Sequence, residues 1–292
     1  MPGASALRLV RPGDPAEFDK VAGPFLAERE AENNLVLGLT SGLKAGRSWG
    51  PTYFGVVRDG DGVVGVALRA GLFLILTAGT TDDALSLLID DAVRATPDAP
   101  GIIGPTDLAR RAVARWTSRT GQAARVTMHE RIYRLEKVIA PRPASGRIRV
   151  ARPTELDLIT EWFYAFAVEA QPEHASSRPD ARANAEGWVA RGALRMWEDG
   201  GSAVSMAGAS GPTPHGIRVA PVYTPPELRG RGYASALTAA VSQAQLDAGR
   251  RYCFLFTDLA NPTSNKIYRG IGYEPVCDVD DLRFEAPAAA DT

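Results

Sequence analysis

The chain is poor in the residues that build metal sites and cross-links. Two cysteines, Cys253 and Cys277, and three histidines occur in 292 residues. Each cysteine lies in or beside an apolar, strand-like run, so buried reduced thiols are expected rather than a disulfide. The histidines are scattered and share no ligand spacing with the cysteines, so no metal site is expected. There is no excess of either charge. Lys and Arg number 33 against 34 Asp and Glu, and the formal net charge is -1. That leaves no electrostatic drive toward nucleic acid or a membrane surface. Long apolar runs are missing too. The longest, LFLIL at 72–76, is far too short to span a bilayer. The opening MPGASALRLV lacks the charged-then-apolar pattern of a signal peptide. The expectation is a cytoplasmic protein with no nucleic-acid or membrane partner.

What is present is an ordinary globular composition, 45% hydrophobic. The length suits two domains better than one core. The best boundary is EKVIAPRPASGR (136–147), which puts two prolines, Gly and Ser between strand-like runs. The expected division is a first domain over 1–140, a linker at 141–147, a second domain over 148–286, and a disordered tail at 287–292.

The second half reads clearly. IRVARP suggests a strand, and Thr154 with Asp157 suggests a capped helix start. Leu156, Ile159, Phe163, Phe166 and Ala170 then recur at helical spacing. A polar stretch and a short helix near Trp188 follow. LRMWED, SAVSMAGA and GIRVAPVYT read as strands. A helix is expected over about 234–248, ended by Gly249. YCFLFT is apolar on both faces, as a buried parallel strand is. NPTSNKIYRG reads as a short helix, and YEPVCDV and LRFE as the strands that finish the sheet. The first half repeats this order faintly: a strand, a helix near Pro24–Glu32, a hairpin turning at DGDG, LFLILT, a helix near 82–94, GIIG, a helix near 107–119 and a closing strand. The shared order predicts two copies of one α/β fold with a mixed sheet.

VYTPPELRGRGYASALTAA (222–240) passes from a strand through a glycine turn into a helix. The first amides of a helix have no internal partner, and the macrodipole adds positive charge there. Together they form an anion site. Gly230 and Gly232 permit a left-handed backbone and close approach. Arg229 and Arg231 add charge, and Ala234 is small. A phosphate loop of Gly-Lys-Ser/Thr type is absent, and RGRGYA breaks the dinucleotide fingerprint at its third glycine. What stands is R-x-x-G-x-A: Arg229, Gly232, Ala234.

At this turn the chain resembles the GNAT superfamily of acyl-CoA-dependent N-acetyltransferases. The resemblance extends to VYT (Val222, Tyr223, Thr224), similar to the family's splayed fourth strand, and to LFTDLANPTSNKIYRGIGYEPV, where Asn261, Tyr268 and the Gly272-Tyr273 pair match the family's second motif. It covers roughly 147–285 and is nearest the glycine-N-acyltransferase-like branch. It implies acetyl-CoA as acyl donor. The pyrophosphate would lie on Arg229, Gly230, Arg231, Gly232, Tyr233 and Ala234, the pantetheine arm along Val222–Thr224, with a contact from Asn261. Tyr268 would be the general acid near the thioester sulfur. By themselves, Asn261 is also a helix cap and Tyr268 a packing residue.

The base is not legible. Residues 211–226 contain no Asp or Glu. Glu227, His215, Glu169, Glu173 and His174 are the nearby candidates. Neutralising a lysine-like amine at pH 7 costs roughly 4.6 kcal/mol, an α-amino group only about 1. A site without an evident base therefore suits a small-molecule acceptor with an α-amino-like group. A silent acyl-CoA sensor or scaffold and a protein or peptide N-acetyltransferase stay open as alternatives, as does a homodimer. In the first half no R-x-x-G-x-A turn follows LFLILT. AGTTDDALSLL instead places Asp82 and Asp83 there, so a degenerate first domain that does not bind the cofactor is expected. The polar 171–187 stretch is a candidate lid.

Overall fold

The computed structural model describes residues 7–170 and 177–285. Glu173, His174, part of the proposed lid and the proposed tail lie outside the described residues. By internal contacts the chain forms two compact units. One holds residues up to Ile132 together with those from Val276 onward, and the other spans Tyr133–Pro275.

The first unit runs β1 (Arg8–Val10), α1 (Pro15–Glu28), α2 (Asn34–Lys44), β2 (Thr52–Asp59), β3 (Gly62–Ala70), β4 (Leu74–Leu76), α3 (Asp82–Ala95), β5 (Gly101–Pro105), α4 (Thr106–Thr120) and the first part of β6 (Ala124–Leu135). β1 to β4 pair antiparallel in order, and β4 and β5 are parallel. The second unit repeats this scheme. It runs β7 (Arg147–Val150), α5 (Leu156–Ala170), α6 (Arg178–Ala190), β8 (Leu194–Asp199), β9 (Ser202–Pro212), β10 (Gly216–Tyr223), α7 (Tyr233–Asp247), β11 (Tyr252–Asp258) and α8 (Pro262–Gly270). Here β7 to β10 pair antiparallel, and β10 and β11 are parallel. In each unit helices cover both sheet faces, giving the expected mixed α/β fold in two copies. Among the described residues no helix is long and apolar enough to cross a membrane.

Three sequence expectations need correction. The helix expected near Pro24–Glu32 is two helices. α1 begins at Asp14, whose carboxylate accepts the amides of Ala16 and Glu17 at 2.8 Å each, with Pro15 as first residue. Pro24 lies inside it, because burying Phe18, Ala22, Phe25 and Leu26 outweighs one lost backbone bond. Thr154 does not cap α5 with Asp157. It sits in a single 3-10 turn, and the Glu155 side chain accepts the Arg152 amide at 2.9 Å. The last strand is one continuous β12 (Glu274–Phe284) and does not finish the second sheet: it pairs with β5, Val279 opposite Pro105 and Arg283 opposite Gly101. Gly101 makes that possible, since a Cβ there would lie 2.1 Å from the Leu282 carbonyl oxygen. Buried Asp280 of β12 accepts from Thr106 Oγ1 (3.0 Å) and Arg110 Nε (2.9 Å) and pairs with His129 Nδ1 (2.8 Å). Trp116 stacks on Phe284 with centroids 4.6 Å apart. The division therefore differs from the expected 1–140 and 148–286 at both ends of the second unit.

Both cysteines are free thiols. Burial pushes each up to about 12, Cys277 with added repulsion from Glu32 and Asp278.

α7 anchors the second unit. Leu237 is fully buried among Val219, Val241 and Leu255. Leu237→Ala is expected to destabilise the protein by about 3 kcal/mol, read as a lower urea midpoint with unchanged slope. A loss under about 1 kcal/mol would mean that the site collapses to fill the space.

Candidate active site

The site is built where β10 and β11 part. They pair only at Gly216–Tyr252, Ile217–Cys253 and Arg218–Phe254. Beyond Arg218, β10 stays with β9, Val222 opposite Ala207 and Tyr223 opposite Met206, with a register shift between Val219 and Val222. Residues 219–223 thus have no partner on β11, and their backbone groups on that side are available to a ligand. The Ala220–Pro221 peptide in this stretch is cis.

The turn after β10 supplies the second component. Gly230 and Gly232 have φ of 78° and 86°, which only glycine adopts readily. A Cβ at Gly230 would meet nothing within 4 Å, and one at Gly232 only Ala144, at 3.6 Å. Gly232 is the N-cap of α7 and makes no side-chain cap bond, and no acidic residue lies in the first turn. The first helical bond is Ala236 N–H to Gly232 O at 3.0 Å. The amides just before it point out of the helix start, with the dipole behind them.

Most side chains of the turn engage the surrounding protein. Arg229 donates from Nε to the Thr224 carbonyl at 2.8 Å and from Nη2 to Glu169 at 2.5 Å, and it lies over the Tyr223 ring. It fastens the strand end to the last turn of α5. Arg231 is exposed, its Nη2 3.4 Å from the Glu227 carbonyl. The Tyr233 ring is buried in the core and its hydroxyl donates to Asp199 at 2.5 Å. That bond and one from Ser145 hold the Asp199 carboxyl below the usual range. Tyr233 can therefore serve an anion only through its amide. Tyr223 packs beside Trp162 on the α5 side of the sheet, its hydroxyl 3.5 Å from Glu169. Burial, then the Glu169 charge, raises its phenol. Thr224 is buried, its hydroxyl 2.8 Å from Ser205 Oγ. Val222 is half-buried against the α7 core, and Ala234 is half-buried at the helix start.

Asn261 is the N-cap of α8, its Oδ1 accepting the Ser264 amide at 3.0 Å. One turn further along, Asn265 accepts from the Tyr133 hydroxyl at 2.9 Å. Tyr268 is half-buried, edge-on to Tyr273 with centroids 6.1 Å apart. Among the described residues its hydroxyl makes no hydrogen bond. Burial alone pushes the phenol up to about 12.

The base candidates thin out. His215 precedes β10, seven residues from Val222, about 20 Å away along an extended chain. Glu227 is exposed in the turn, and Glu169 is bound to Arg229.

Sequence reasoning missed a cleft on the other side of β10. Phe163, Phe166, Trp188, Asn184, Ser210 and Arg218 are among its lining, with Ala220 and Pro221 at the β10 wall. The available signal was a lone arginine inside the apolar run GIRVAPV.

The open parallel strand pair thus stands beside a helix start without a side-chain cap, with the half-buried Tyr268 phenol on the following helix. Residues 156–273 match the acetyltransferase (GNAT) family. No curated protein matches the chain in sequence. Solved structures share its fold at low identity. A GCN5-related N-acetyltransferase from Sphaerobacter thermophilus is 16% identical with a TM-score of 0.58, covering 96% of each chain. A tandem GNAT protein from the clavulanic acid biosynthesis pathway is 13% identical with a TM-score of 0.54, covering 97% of this chain and 100% of its own. A Drosophila protein is 13% identical with a TM-score of 0.66, covering 96% and 98%.

Proposed function

We propose that the second unit transfers an acetyl group from acetyl-CoA to the primary amine of a small molecule with an α-amino-like group, by direct attack and without a covalent enzyme intermediate. The observation that carries this is the pairing of an opened β10 edge with the uncapped start of α7, in a unit that also holds the unengaged Tyr268 hydroxyl. The residues fit the carrier. The space at Gly230, the left-handed Gly232 and the lack of acidic residues in the first turn of α7 suit a pyrophosphate on the amides of Gly230 to Ala234. Arg231 adds charge, and the backbone of Val222–Thr224 suits an extended arm. Asn261 contributes by fixing the start of α8. Acetyl-CoA supplies an acyl thioester, whose C–S bond breaks as the amine nitrogen bonds to the acyl carbon. Tyr268 holds at its hydroxyl the proton that the departing sulfur needs. The amine gives up its own proton to water.

The first unit is the degenerate copy. β4 and β5 pair at Leu74–Ile102 and Ile75–Ile103 and stay close beyond, since a Cβ at Gly104 would lie 2.9 Å from Leu76 Cβ. The start of α3 is capped by Thr81 and carries Asp82 and Asp83. A pyrophosphate would meet a closed strand pair and two like charges.

A calorimetric titration with acetyl-CoA is expected to give one site per chain. Two sites would overturn the reading of the first unit, and no binding at tens of micromolar would overturn the reading of the second. In an amine panel, acceptors with α-amino groups are expected to outpace lysine-side-chain amines and polyamines; the reverse order would refute the acceptor class.

A further inference from the structure

The cleft under α5 and α6 is about 230 Å³. That is below the roughly 300–1,000 Å³ of pockets for drug-sized ligands, so it suits something the size of an amino acid. Phe163, Phe166 and Trp188 make its walls. Phe163 and Trp188 lie with ring centroids 6.3 Å apart. The indole rests on β9 because Gly208 leaves room for it: a Cβ there would lie 2.4 Å from Trp188 Cζ3. Among the described lining residues Arg218 is the only charged one, with Asn184 and Ser210 as polar company. Arg218 is the last residue of β10 paired to β11, and Ala220 and Pro221, in the opened stretch, line the same cleft. The cleft therefore runs along β10 from the guanidinium toward the opened edge.

We propose that this cleft takes the acceptor and selects an amine that bears a carboxylate on an apolar or aromatic body, the carboxylate held by Arg218. The proposal rests on the acyl-transfer reading above and narrows its substrate class. A guanidinium has five N–H donors in a planar fork, so it can bind a ligand carboxylate and keep a protein partner as well. The same charge repels polyamines and other polycations. The aromatic walls supply apolar contact for the body of the ligand, and Gly208 sets their shape.

The test is a calorimetric comparison of two product-like probes, N-acetyl-L-phenylalanine and N-acetylphenethylamine, which differ only in the carboxylate. The first is expected to bind about 10–100-fold more tightly, the range of a charge-assisted bidentate contact. Arg218→Met is expected to erase that difference. Asn184→Asp, at an exposed position, should weaken the first probe severalfold and spare the second, which covers the case in which the arginine variant does not fold. Acetyl-CoA, titrated into the same variants, is expected to keep its affinity. If acetyl-CoA binds and the two probes bind equally, the cleft proposal is overturned and the acyl-transfer reading stands. If the carboxylate is preferred but acetyl-CoA does not bind, the cleft keeps its ligand class and the acyl-transfer reading falls. Equal weakening of both probes by Arg218→Met would make the arginine structural and overturn its assignment.

Discussion

Tyr268→Phe is expected to lower kcat by about 10²–10³-fold while leaving acetyl-CoA affinity within a factor of about two. The substitution keeps the ring against Tyr273 and removes only the hydroxyl, which makes no hydrogen bond among the described residues. Packing and cofactor binding are therefore spared. The phenol stands at about 12, and a thiol such as that of coenzyme A near 8.5. Full proton transfer to the freed thiolate is uphill by roughly 3.5 units, about 5 kcal/mol. The hydroxyl thus acts first as a hydrogen-bond donor to developing negative charge and releases its proton late. The sign of its shift also has a consequence. A raised phenol stays protonated above its ordinary value of about 10, so the donor persists and Tyr268 imposes no fall in kcat up to about pH 10. A kcat within threefold of wild type for the phenylalanine variant would make Tyr268 a packing residue. A basic limb near pH 9 that vanishes in the variant would refute the desolvated phenol.

Gly232→Glu is expected to weaken acetyl-CoA binding by more than about 100-fold, because two effects act at one position. The backbone there has φ of 86°, which costs a non-glycine residue about 1–2 kcal/mol. Space is not the obstacle, since the new Cβ would meet only Ala144 at 3.6 Å. The second effect is charge. A carboxylate at a helix start is favourable to the helix itself, so the fold is partly compensated while the anion's place is taken. Gly232→Ala isolates the first effect and is expected to cost only about tenfold. Equal losses in the two variants would assign the turn's role to backbone shape alone. No loss in either would remove the turn from the cofactor site.

The sequence made the second unit legible because its motifs are local. R-x-x-G-x-A is a turn and a helix start, and Asn261 to Tyr268 is one short helix. Each needs only neighbouring residues to form, and both were found where expected. The strands beside them were bounded by glycine, proline and charge, and LRMWED coincides with β8 end to end. What failed was non-local. Nothing in YEPVCDVDDLRF tells which sheet it joins. That depends on Gly101 accepting a close strand and on Asp280 finding Thr106, Arg110 and His129, more than 150 residues away in sequence. The direction of a side chain was equally hidden. Tyr233 lies in the motif yet turns its ring into the core, and Arg229 is committed to Glu169. The cleft was missed because its walls come from α5, α6, β9 and β10 together, each with an ordinary amphipathic pattern of its own.

The placement of β12 also governs the order in which the protein can be made. The first unit is encoded almost entirely by the first 132 residues, yet β5 lacks an antiparallel partner until residues 279–283 arrive. During synthesis a ribosome must add more than 140 further residues before that sheet closes, at about 5–20 residues per second. Meanwhile an open strand edge is presented to every other nascent chain nearby, a known route to misassembly. The same wiring forbids dissection. A fragment ending in the APRPASG linker carries an N-terminal unit with one strand missing from inside its sheet, so expression of that unit should require the residues from Val276 onward.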